Sequence, residues 1–382
     1  MKIIENTNLC NGCHSCFSIC PNNCIVMEQS NEGFLYPQID EKNCANCGTC
    51  KRNCPINKSQ VERTREKIIP KTFGVININE SIRMDSSSGG VFTLLAEYVI
   101  SQGGVVFGAK FDNDFSVIHS KTETIEGISE FRGSKYVQSK IGNSYKNVKS
   151  FLEEGKTVLF TGTPCQIGGL KSFLSEEYEN LICIDIICHG VPSPKVWQKY
   201  VLFREKIAES KTETIIFRNK NKGWKNYSIQ FSFANKTEYC EVFNRDLFMQ
   251  AFLKNLCLRK SCYCCDFKTI NRISDLTIAD FWGVQNILPE MFDDKGTSLV
   301  LVQSQKGQDI FDKIKTYTTF MEVDCEKSLQ FNSAAYRSCV EPYNRDKFIK
   351  NIDKLPFDQL VKKYSKVSLI QRLLRRIKNI IK

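Results

Sequence analysis

The chain has 382 residues, 42% hydrophobic and 25% charged, which allows a sizeable core and is too long for one small domain. Of the formal charge of +11, eight units fall in residues 360–382, which hold no acid, leaving +3 for the rest. Metal-bound thiolates subtract further charge, so a general nucleic-acid binder is excluded. Nineteen cysteines, no apolar leader after Met1 and no run of 18 uncharged apolar residues point to a reducing cytoplasm. In that setting cysteines hold metal rather than pair as disulfides.

The first element is a repeated cysteine ruler. Cys10, Cys13, Cys16 and Cys20 precede Pro21, and Cys44, Cys47, Cys50 and Cys54 precede Pro55, so C-x2-C-x2-C-x3-C-P occurs twice, 34 residues apart. This spacing suits two 4Fe–4S cubanes with crossed ligands: Cys10, Cys13 and Cys16 with Cys54, and Cys44, Cys47 and Cys50 with Cys20. Zinc knuckles pair two C-x2-C units instead. Such clusters are oxygen-sensitive and point to an anaerobe. Apolar runs either side of Asn31-Glu32-Gly33 predict a hairpin. Cys24 falls outside the ruler and reads as a packed thiol. Residues 1–56 are thus an α+β dicluster ferredoxin domain, and the polar residues 57–70 a linker ending at Pro70.

From Lys71 the pattern becomes α/β. Strands are predicted at Phe73–Ile78, Val105–Phe111, Thr157–Phe160, Leu181–Ile187, Leu276–Asp280 and Thr297–Gln303. Helices are predicted at Ser88–Ser101, Gln166–Phe173 and Pro194–Phe203, and from Gln308. Strand–helix alternation predicts a mostly parallel sheet over residues 71–350, with an antiparallel insertion at 212–243. Residues 351–382 form a separate basic segment. Its apolar Val367, Ile370, Leu373, Leu374, Ile377 and Ile381 predict a basic amphipathic C-terminal helix, either docked on its own domain or lying on an anionic membrane surface.

Four further cysteines stand where chemistry gathers. Cys165 follows one buried strand and Cys188 another, at the carboxyl edge of the expected sheet. Cys262 and Cys265 form a C-x2-C pair, and the four together suit a third cubane, a structural zinc or buried thiols. Cys264 competes as a ligand. Cys183, Cys240, Cys257, Cys325 and Cys339 lack ligand spacing and read as core. Ser86-Ser87-Ser88-Gly89-Gly90 precedes a helix, a seat for the oxygens of a flavin or simply an N-cap. Gly133-Ser134-Lys135-Tyr136 and Asp280-Phe281-Trp282-Gly283 are further candidates, or an ordinary loop and an aromatic plug.

Thr161–Gln166, Cys188–Ser193, Ser261–Phe267, Ile278–Gly283 and Ser88-Gly89-Gly90 together resemble the beta subunit of coenzyme F420 hydrogenase and dehydrogenase, in the form with a fused N-terminal dicluster ferredoxin. One departure is Ala279, where glycine is common. The resemblance implies FAD, a third cluster on Cys165, Cys188, Cys262 and Cys265, and a flavin site drawn from Ser86, Ser88, Gly89, Gly90, Lys135, Tyr136, Thr163 and Gln166. It implies an oxidoreductase passing electrons between clusters and a flavin that exchanges hydride with coenzyme F420 or another small substrate. The alternative is an electron-transfer subunit serving a partner enzyme, as in a reductive step of cell-surface polysaccharide synthesis. Either way the partner is a redox protein or a small hydride donor or acceptor.

Overall fold

The computed structural model describes residues 2–58 and 69–365. The linker expected over 57–70 and the tail helix expected over 362–382 therefore lie largely outside the described residues.

The N-terminal part is a small antiparallel hairpin, β1 (Ile25–Gln29) and β2 (Leu35–Ile39), with short helices at Ser15–Ile19, Thr49–Arg52 and Pro55–Lys58. Ile3, Ile25, Cys24 and Cys50 form its own small core, with Cys16, Cys20, Cys44 and Cys54 packed against it. The 34-residue repeat recurs in the backbone. Gly12 and Asn46, and likewise His14 and Gly48, all adopt positive φ, the sharp turns that fold three close cysteines inward.

The remaining strands are β3 (Lys71–Asn77), β4 (Val105–Phe111), β5 (Val117–Thr122), β6 (Val158–Gly162), β7 (Leu181–Ile186), β8 (Thr212–Asn219), β9 (Ser228–Phe233), β10 (Glu238–Val242), β11 (Leu276–Asp280), β12 (Ser298–Val302) and β13 (Thr318–Glu322). Eight of them form one sheet in the order β13-β3-β12-β11-β7-β6-β4-β5. Only β4, β6, β7 and β11 run parallel, while β5, β12, β3 and β13 join antiparallel. The mostly parallel sheet expected from sequence is therefore corrected to a mixed sheet with a parallel centre. An apolar run shows that a strand is buried on both faces but not which way its neighbour runs.

Both faces are covered. Val106, Leu159, Ile182 and Ile184 face the helices Val91–Ser101 and Gln305–Ile314. Phe107, Phe160 and Cys183 face Ser144–Glu153 and Pro164–Leu174. The antiparallel insertion is β10-β9-β8, covered by the helix Pro194–Ala208. Trp197 is wholly buried there among Phe217, Phe231 and Phe248. Phe357, Leu360 and Val361 of the helix Phe357–Tyr364 enter this same core. Among the described residues no helix is long and apolar enough to cross a membrane.

Candidate functional site

The parallel strands β6, β7 and β11 end at one edge of the sheet, and there the predicted cysteines meet. Cys165 sits in the first turn of Pro164–Leu174, just beyond β6. That helix starts in a capping box, with the Thr163 amide donating to Gln166 Oε1 at 2.9 Å. Cys188 follows β7, and Cys262 lies in a short 3-10 turn over Lys260–Cys264, with Cys265 just after it. All four thiols line one cavity of about 450 Å³ including its mouth. Cys264 points away and is exposed. Among the described residues no three His, Cys, Asp or Glu side chains close on one point as a lone ion requires.

Burial pushes the Cys165 thiol up to about 12, with Cys265 and Cys188 adding to the rise and Arg259 opposing it. Burial likewise raises Cys262, Cys188 and Cys265. Lys268 and Arg272 oppose it at Cys188 and Cys265. Lys268 donates to the carbonyls of Cys188 and, at 2.8 Å, Ala334. Arg272 pairs with buried Asp185 at 3.3 Å. Asn11, from the N-terminal module, also lines the cavity, and its buried Nδ2 has no acceptor. An orphaned buried donor beside four thiols fits an anionic thiolate-bound group.

The N-terminal cysteines fall in two adjoining neighbourhoods, with Cys50 within electrostatic reach of Cys16 and Cys54. Cys20, Cys44, Cys47 and Cys50 line a second cavity of about 320 Å³, together with Cys24, whose sulfur stands 3.3 Å from that of Cys20. Cys10, Cys13, Cys16 and Cys54 lie within electrostatic reach of one another. Backbone amides already point at sulfur in both sets, Gly12 to Cys10 and Asn46 to Cys44, each at 3.4 Å.

The expected core cysteines hold with two corrections. Cys183, Cys257 and Cys325 are buried. Cys240 is exposed, on an alternating strand whose outward face it occupies. Cys339 is half-buried, donates to His189 O at 2.7 Å and lies within reach of Cys188 and Cys265. The sequence carries no spacing signal for it.

The flavin candidates fall along a strip rather than in one niche. Ser86 Oγ donates to Ile82 O, and Ser88 Oγ to Thr297 O, both at 2.7 Å. Gly89 is clamped against β12, where a Cβ would come 2.7 Å from the Ser298 amide. Gly90 has φ +84° and starts Val91–Ser101 without a side-chain cap. Ser87 and Ser134 hydroxyls meet at 2.8 Å, bringing the two glycine turns together. Lys135 Nζ donates to Glu130 O and Arg132 O, and burial lowers its pKa to about 7. Tyr136 stacks on Phe252 and accepts from Arg218, which also pairs with Asp280 at 2.8 Å. Trp282 stacks on Trp224 at 4.8 Å. Arg218 Nε is buried without an acceptor beside this group. Thr163 and Gln166 stand apart from it, next to Cys165.

Gln166 Nε2 donates to Ser139 Oγ, which meets His119 Nδ1 at 2.9 Å, while His119 Nε2 faces the Thr161 carbonyl at 3.0 Å. A carbonyl only accepts, so Nε2 carries the proton and Nδ1 accepts from Ser139. Burial lowers the His119 pKa from 6.5 to about 4. Between those values the unfolded chain binds a proton that the folded chain refuses. Stability is therefore lost as pH falls from 6.5 to about 4, by up to about 3 kcal/mol for this group. Denaturant unfolding at both ends of the window should show a smaller pH dependence in H119Q, and an equal one would remove His119 from this role.

Fold and cysteine sets together define an iron–sulfur electron-transfer protein: residues 9–58 match the 4Fe–4S dicluster domain. Residues 155–327 match the C terminus of the beta subunit of coenzyme F420 hydrogenase/dehydrogenase. The chain thus carries a dicluster domain at its front and, over residues 155–327, a region that matches that family. It is 26% identical over 215 residues to an uncharacterised protein of Methanocaldococcus jannaschii, covering 47% of this chain and 56% of that one. An uncharacterised ferredoxin of the same organism is 28% identical over 67 residues, 18% of this chain and 86% of the ferredoxin. The chain thus spans little more than half the length of the first relative. A chain of the F420-reducing NiFe hydrogenase complex of Methanosarcina barkeri is similar in structure, with a TM-score of 0.45 and 19% identity over 77% of this chain and 90% of that one.

The sequence reading missed Asn11, Arg259, Lys268 and Arg272 around the cavity. Arg259 had one available signal: a basic residue ending the apolar run Leu256-Cys257-Leu258, three residues before a C-x2-C.

Proposed function

We propose that the chain is an iron–sulfur flavoprotein oxidoreductase moving electrons between three 4Fe–4S clusters and FAD, with hydride exchanged with coenzyme F420 or another small substrate. In this reading Cys10, Cys13, Cys16 and Cys54 hold one cluster, Cys20, Cys44, Cys47 and Cys50 the second, and Cys165, Cys188, Cys262 and Cys265 the third. The observation that carries it is the third set: four thiols from three separate segments around one cavity that also borders the dicluster module at Asn11. A bound flavin would supply the exchange between a two-electron hydride and single electrons. The open amino end of Val91–Ser101 at Gly90 and the unpartnered Arg218 Nε fit its anionic oxygens. Asn11, Lys268 and Arg272 would stabilise ionised thiolates, and the buried walls would exclude oxygen and water. Its partner is then a redox protein or a small hydride donor or acceptor.

One observation favours the second reading, an electron-transfer subunit without flavin. The side chains of Ser86, Ser88, Lys135, Tyr136, Thr163 and Gln166 all have partners within the chain. Anaerobic purification with iron, sulfide and flavin quantification separates the two. About twelve irons and one flavin per chain are expected. Twelve irons without flavin absorbance would establish the second reading, and eight irons would remove the third cluster from both.

A further inference from the structure

Arg259 is wholly buried between two sulfur sets. Its Nε donates to Cys10 O at 2.6 Å, and one Nη lies 3.6 Å from Cys10 Sγ and 2.9 Å from Leu35 O. The other Nη donates to Gln138 Oε1 at 3.0 Å. On its opposite side the same residue lines the cavity of Cys165, Cys188, Cys262 and Cys265. Its guanidinium lies over the rings of Tyr36 at 4.2 Å and Phe34 at 5.3 Å, and it occupies the space a Cβ on Gly12 would need.

No carboxylate pairs with Arg259 among the described residues, unlike the buried Arg218, Arg272 and Arg345. Arginine stays protonated in proteins, and an uncompensated buried cation costs several kcal/mol. Carbonyls and ring faces offset part of that cost. The remaining anions within reach are thiolates, Cys10 on one side and Cys165 on the other.

We infer that Arg259 is the shared counter-ion of two clusters, the one on the Cys10 set and the one on the Cys165 set, and that it raises both reduction potentials. The inference rests on the proposed ligand sets. Reduction adds one electron to a cluster, and a fixed positive charge stabilises the more negative state. Arg259 thereby acts as a positioning residue for electrons: it favours their residence on the two clusters that flank it over the outer set at Cys20, Cys44, Cys47 and Cys50.

EPR-monitored redox titration of the holoprotein tests this. In iron-replete R259Q, two of the three signals should move to lower potential by at least tenfold in the reduction equilibrium, about 59 mV for one electron, and the third should stay. Three unmoved potentials, or a shift confined to one signal, would overturn the inference. If R259Q fails to take up iron, R259M serves instead: it removes the same charge while keeping an apolar stem, so both flanking signals should again fall, and unmoved potentials in iron-replete R259M overturn the inference equally. Wild-type protein with only eight irons defeats the third-cluster reading itself, whereas twelve irons with unmoved variant potentials defeat the role of Arg259 alone.

Discussion

Cys262→Ser is expected to lower the iron content from about twelve to about eight per chain while both N-terminal cluster signals survive. Cys262 lines the cavity, accepts from the Val191 amide at 3.4 Å, and is within electrostatic reach of Cys188, Cys265 and Cys165. A hydroxyl at that position is a poor ligand for iron and does not ionise as a thiol does. The dicluster cysteines belong to different segments, most of them against a separate small core, so they should keep their iron. C264S is the control. Its thiol is exposed and outside the cavity lining, and iron content should not change. Full iron in C262S, or loss of four irons in C264S, would reassign the ligand set.

Gly33→Ala should detach the dicluster hairpin from the body of the protein at a cost of about 3 kcal/mol. Gly33 sits between β1 and β2 at φ +87°, a conformation that side chains rarely adopt. A Cβ there would come 2.7 Å from the Lys195 backbone nitrogen, in the first turn of Pro194–Ala208, which cannot give way as a flexible side chain would. Everything around this tip locks it in place. Ser193 Oγ donates to Glu32 O, and buried Arg345 takes the Glu32 carboxylate with both Nη groups. Amide hydrogen exchange should quicken over residues 25–39 of G33A while β4 and β6 stay protected. Unchanged exchange in the hairpin would show that docking does not depend on this tip.

The dicluster module was legible because its signals are local: the ruler and the hairpin at Asn31-Glu32-Gly33 both lie within one short segment. The α/β strands were legible from their apolar runs and the main helices from their turns and caps. Strand direction was not, since β12 and β3 look alike whether they run with or against β11. β5 was missed because Val117–Thr122 carries His119, Ser120 and Lys121 on an edge strand, and only Val117 and His119 of its six residues are buried. The third cysteine set was legible as a set because each member sits beside a recognisable strand end or knuckle. Arg259 was not, because Cys10, its main partner, is 249 positions away. The flavin strip was read from glycine turns, yet Ser88 and Gly89 serve β12, a use that no local pattern reveals.

The helix Pro164–Leu174 carries Cys165 at its start and, one turn on, Gly169, where a Cβ would come 2.9 Å from Cys13 Cβ and 2.8 Å from the Tyr145 hydroxyl. Four residues of α-helix advance about 6 Å, a length fixed by the backbone hydrogen bonds themselves. The gap between the third sulfur set and the Cys13 loop is thereby set by the rise of a helix rather than left to a hinge. If both sets hold clusters as proposed, heating or the approach of a partner can change how often electrons arrive at this crossing, but hardly how far they must jump.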